Sequence, residues 1–105
     1  MTPRYEFLLD GAFNQVLEES GLGGPQVIGK RLTMECTWGG DTYFTVGIVT
    51  GLDYSSEEFR LYVSIPRVGN APLRYLVFVD KQWRAYLEGI GAQKLFPCIL
   101  DVAYM

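Results

Sequence analysis

The sequence predicts an α+β fold: an N-terminal helix, a strongly bent antiparallel sheet of about five strands, and a second helix before the last strand. Three observations carry this. Apolar residues recur with helical period near the N-terminus, strict alternation runs through the middle, and helical period returns between residues 80 and 90. A sheet bent this strongly either wraps on one helix or closes partly into a small barrel. The chain of 105 residues is read as one globular domain, residues 1–105.

Tyr5, Leu8, Leu9, Ala12, Phe13 and Val16 draw one apolar stripe at i, i+3, i+4, i+7, i+8 and i+11. Thr2 is placed to cap this first helix, Pro3 fits its first turn, and Gly21, Gly23, Gly24 and Pro25 end it. The competing reading makes Arg4 to Leu9 a strand and starts the helix at Asp10. From Lys30 to Trp38, apolar Leu32, Met34, Cys36 and Trp38 alternate with polar Arg31, Thr33, Glu35 and Thr37, the pattern of a half-buried strand. Gly39-Gly40-Asp41 supplies a tight turn, and the return strand Thr42 to Thr50 carries Phe44, Val46 and Ile48 on one face.

Gly51 to Glu58 is a polar connection. Beyond it, Phe59, Leu61, Val63 and Ile65 alternate with Arg60, Tyr62 and Ser64. The stretch Pro66 to Pro72 reads as a loop, and Leu73 to Val79, apolar on both faces, as the most central strand. Asp80 is placed to cap a second helix on which Trp83, Tyr86, Leu87 and Ile90 share one face, ending at Gly89 and Gly91. The last strand runs from Leu95 to Tyr104, with Pro97 pointing to an edge position or a bulge.

The stretch from Ile28-Gly29-Lys30-Arg31-Leu32-Thr33 through Gly47 to Val63 resembles the first half of an Sm-like small barrel. In that family a helix likewise precedes a bent sheet, so the resemblance implies architecture. The Ile-Arg-Gly-type RNA-contacting segment that should follow on the fourth strand is missing, and no RNA-binding residue is carried over.

Composition removes several chemistries. The chain is 49% apolar, 14% aromatic and 20% charged, and it has no histidine. Histidine-based zinc sites, Ser–His and Cys–His catalysis and histidine pH switches are therefore excluded. Cys36 and Cys98 form no CxxC and sit among apolar strand residues, so they are expected as buried free thiols. The N-terminus lacks a basic region followed by a long apolar stretch, so no signal peptide is expected. No apolar run reaches the roughly 20 residues of a membrane span, and a soluble cytoplasmic protein is expected. No cofactor and no metal site is read.

Gly21 to Gly24 lacks the spacing of a phosphate cradle and reads as a helix stop. Ser55-Ser56-Glu57-Glu58 lacks the ligand periodicity of a calcium loop and reads as a solvated turn. Without histidine only carboxylates remain as general acids, and Asp101, flanked by Leu100 and Val102, is the one of interest. Its strand parity sets it opposite the apolar set, on an exposed side.

The net charge of −3 conceals an asymmetry. Residues 1–59 hold three basic and nine acidic residues, whereas residues 60–105 hold six basic and three acidic. Arg60, Tyr62 and Ser64 share one strand face, which Arg74 and Phe78 join if strands 59–65 and 73–79 pair. An arginine–aromatic face of this kind suits a protein partner or a small anionic ligand. The overall acidity disfavours nucleic acid. The expectation is a small non-enzymatic binding protein acting through a protein–protein surface, on a partner or as a homodimer. The alternative is a pocket for a small anionic ligand, held between sheet and helix by Arg60 or Arg74.

Overall fold

Two consecutive glycines at positive φ, Gly39 at 62° and Gly40 at 85°, make a two-residue turn that sets the register of the first hairpin. The structure, a computed structural model, describes residues 27–55, 58–89, 91–92 and 94–103. The expected first helix, its strand alternative over residues 4–9 and the glycine cluster 21–24 lie outside the described residues. Seven strands follow in chain order: β1 (Arg31–Trp38), β2 (Asp41–Ser55), β3 (Glu58–Val63), β4 (Arg67–Val68), β5 (Ala71–Val79), β6 (Gln82–Leu87) and β7 (Leu95–Ala103).

The described residues form an all-β domain, which corrects the α+β expectation: no α-helix occurs among them. The expected second helix is strand β6. Its residues fit two periods at once. Trp83, Tyr86 and Leu87 match a helical face, but buried Trp83, Ala85 and Leu87 also alternate with Gln82, Arg84 and Tyr86. Pairing decides between them, because β6 lies between β5 and β7 and satisfies its backbone on both sides. Asp80 is not a helix cap. Asp80 (φ 54°) and Lys81 (φ 62°) form the two-residue turn between β5 and β6, and their left-handed backbone is tolerated because it matches the strand twist.

The pairings run β1–β2–β3–β5–β6–β7 and return to β1, all antiparallel, so six strands close on themselves. The two-residue β4 adds only a short hairpin with β5. Closure leaves no long free edge among these six strands. Pro97 accordingly lies at no edge; it sits where β7 leaves β6 and takes up β1.

Two long bent strands divide the barrel into two layers. Residues 41–48 of β2 pair with β1, and residues 49–55 pair with β3. Residues 98–103 of β7 pair with β1, and residues 95–97 with β6. One layer therefore has three strands, centred on β1, and the other has five. A bulge between Val49 and Gly51 makes the β2 bend and moves its inward positions from odd to even numbers, Val49 to Leu52. The core between the layers contains Leu32, Met34, Cys36, Phe59, Leu61, Leu76, Ala85 and Leu87.

The orientation of β2 is the main surprise. With Trp38 opposite Asp41, inward Leu32, Met34 and Cys36 lie opposite Gly47, Thr45 and Tyr43. The inward row of this half-strand is thus Tyr43, Thr45 and Gly47, and the apolar row Phe44, Val46 and Ile48 faces out. Gly47 admits Ile65, whose Cγ1 stands 2.6 Å from where a Cβ would be. Thr45 carries a cost, since its Oγ1 is buried without a hydrogen-bond partner among the described residues.

Candidate functional site

On the outside of the three-stranded layer, side chains line up in columns across β2, β1 and β7. Phe44, Glu35 and Ile99 form one column, Val46, Thr33 and Asp101 the next, and Ile48, Arg31 and Ala103 the third. Phe44 is 74% exposed, Ile99 67% and Val46 60%. Because Thr33 on β1 is shorter than its neighbours, the flanking side chains wall a shallow groove of about 320 Å³ above it. Thr33 and Thr37 are tied locally, Thr33 Oγ1 donating to the Asp101 carbonyl (3.4 Å) and Thr37 Oγ1 sharing a hydrogen bond with Thr42 Oγ1 (3.2 Å). Neither Arg31 nor Glu35 has an ion-pair partner among the described residues. They do not pair with each other either, standing about 13 Å apart along the strand.

The five-stranded layer presents a different surface. Tyr62, Tyr75 and Tyr86 run across β3, β5 and β6 as an aromatic ladder, with centroids 6.1 Å and 4.9 Å apart. The Arg60 guanidinium lies 4.4 Å from the Tyr75 ring, and Nε donates to Glu58 Oε1 at 3.0 Å. Hydrogen bonds to Glu58 and then Tyr62 raise the Arg60 pKa further. Burial raises that of Tyr75, opposed by the nearby Arg60 charge. Lys94 Nζ closes the far end, 5.9 Å from the Tyr86 ring. A cavity of about 160 Å³ lies beside the ladder, lined by Glu58, Tyr75, Val77, Val79, Tyr86 and Leu95.

Of the five residues expected to share the arginine–aromatic face, the structure brings together two, Arg60 and Tyr62. Ser64 lies beyond the end of β3, where its Oγ accepts from the Ile48 N–H (2.9 Å) and stitches the β2 bend. Arg74 is the extra residue of the bulge in β5 and pairs with Glu88 instead. Phe78 is opposite Phe59 and packs on Trp83 at 5.3 Å, so it belongs to the inward side. Tyr75 lies against Arg60, and Tyr86, expected on a helix, joins the same row from strand β6. A β-period reading of residues 82–87 would have found Tyr86. The outward position of Phe44 was also available, from the two-residue turn at Gly39–Gly40.

Cys36 and Cys98 lie opposite each other in the β1–β7 register, both buried and free. Burial pushes the Cys36 thiol up to about 11 and the Cys98 thiol up to about 12, the latter with a further contribution from Cys36. Thiols held protonated at neutral pH are poor nucleophiles. Asp101 is exposed, on the rim of the three-stranded layer. Among the described residues, no helix is long and apolar enough to cross a membrane.

What the fold and these surfaces define is a class: a closed antiparallel β-barrel with one apolar and one tyrosine–arginine outer face. Compared with protein-family models, curated proteins and solved structures, the chain matches none.

Proposed function

We propose that this protein is a small binding module acting through a protein–protein surface, and that this surface is the outer face of the three-stranded layer. One observation carries the reading. Phe44, Val46 and Ile48 on β2 and Ile99 on β7 stand exposed on both sides of β1. Large apolar groups gathered on one outer face cost free energy in water and are the usual mark of a surface that becomes covered. Polar Thr33, Glu35 and Asp101 interrupt the apolar groups, as in interfaces formed by proteins that also exist free. On this reading the protein binds and does not turn over a substrate.

On this reading the contact surface differs from the arginine–aromatic face expected from the sequence. The alternative, a small anion held by Arg60 or Arg74, draws less support. Both guanidiniums already meet carboxylates, Glu58 and Glu88. The cavity beside the ladder, about 160 Å³, is roughly half the lower end of ordinary ligand sites.

A photoreactive benzoylphenylalanine placed at position 46 in the native cell tests the reading. It predicts a covalent adduct to a protein from position 46, and none from the same probe at exposed Lys94 beside the tyrosine ladder. A probe at position 46 that reacts with no protein contradicts it.

A further inference from the structure

Arg31 and Glu35 stand on the outward side of β1, one on each side of Thr33. Among the described residues neither has an ion-pair partner, and each is flanked on β2 by an exposed apolar residue, Ile48 beside Arg31 and Phe44 beside Glu35. The pattern Arg–Thr–Glu complements itself when reversed. We propose that the occupant of this face is a second copy of the chain, packed layer against layer about a two-fold axis. This rests on the reading of that face as the contact surface.

The axis that fits lies in the interface, parallel to the layer, and crosses the strands at Thr33. It sets the two β1 strands antiparallel, face to face. Arg31 of each copy then meets Glu35 of the other, Phe44 meets Ile48, Val46 meets Val46, and Ile99 meets Ala103. An axis along β1 fails, because it places Arg31 on Arg31 and Glu35 on Glu35. Two symmetric ion pairs fix the register among apolar neighbours that give the contact its area, the division of labour seen in specific interfaces. The arrangement has one adverse contact, Asp101 against Asp101, and it falls on the water-exposed rim.

Size sets the strength. A patch three strands wide and about six residues long covers only ~14 by ~20 Å. Two such patches cover only roughly 560 Å² in total, well below the roughly 1,200 Å² at which stable interfaces begin, so the contact is a weak, transient one. The copies therefore exchange freely, and association shows itself only as concentration rises.

Light scattering on size-exclusion eluates, from about 1 to about 200 μM protein, tests this. The mass should rise with concentration from 11.9 kDa toward twice that value. Arg31→Glu and Glu35→Arg should each weaken association at least about tenfold, and the double variant should recover to within about threefold of the natural chain. Asp101→Asn should strengthen it by about two- to fivefold. All three positions face outward, so unchanged circular dichroism confirms folding. A mass of 11.9 kDa at every concentration overturns the proposal. So does association that the double swap fails to restore. A monomer whose position-46 probe still captures a different protein overturns the second copy alone and leaves the contact-surface reading standing. A monomer whose probe captures nothing overturns both.

Discussion

The two outer faces of the barrel carry similar residue types and handle them in opposite ways. On the five-stranded layer, charge and aromatic area are settled within the chain: Arg60 meets Glu58 and lies over Tyr75, which stacks on Tyr86. On the three-stranded layer, Arg31 and Glu35 pair with nothing described, and Phe44 and Ile99 stand mostly in water. The difference teaches where to look for a partner. A face that is complete in the monomer gains little from contact, whereas a face with unspent apolar area and unpaired charge gains from both.

The comparison depends on what holds Phe44, Val46 and Ile48 outward, and the largest expected effect comes from breaking that. Gly47 is the inward position of β2 against which buried Ile65 packs. Gly47→Val should destabilise the fold by about 3 kcal/mol or more in chemical denaturation, because even its Cβ overlaps Ile65. Combining Gly47→Ala with Ile65→Ala should cost less than the sum of the two single changes. Strict additivity would mean that this contact does not fix the strand.

A smaller effect separates the faces directly. Tyr75→Ala removes stacking on Tyr86, the tilted contact with Tyr62 and the Arg60 cation–π contact, and should cost about 2–3 kcal/mol. Phe44→Ala, measured at a concentration where the chain is monomeric, should change stability by no more than about 0.5 kcal/mol. Equal costs at the two sites would erase the distinction between a completed face and a waiting one.

Much of the strand content was legible before the structure, and the errors have particular causes. The alternation over residues 30–38 and 59–65 identified β1 and β3 because polar and apolar residues there keep strict parity. Residues 80–90 misled because Trp83, Tyr86 and Leu87 fit a helix period while Trp83, Ala85 and Leu87 fit a strand, and only pairing with β5 and β7 decides. Asp80 likewise suits a helix cap and a positive-φ turn equally well. At the first hairpin a single residue mattered. Reading the turn as Gly39-Gly40-Asp41 places Phe44 opposite Cys36, on the core side, whereas the two-residue turn places it opposite Glu35 on the outside. The candidate surface was hidden by that one-residue difference. Of the arginine–aromatic residues, Arg60 and Tyr62 were legible from one strand, whereas Arg74 was displaced from them by a bulge that alternation alone does not announce.

The central claim is that the apolar face, and not the tyrosine–arginine face, becomes covered. Methyl NMR with a soluble paramagnetic probe reads both faces in one sample. As protein concentration rises through the micromolar range, probe broadening should fall at the methyls of Val46, Ile48 and Ile99 and stay constant at Val79 beside the ladder. Broadening that stays constant at all four residues up to the highest concentration, or that falls at Val79 alone, would contradict the account.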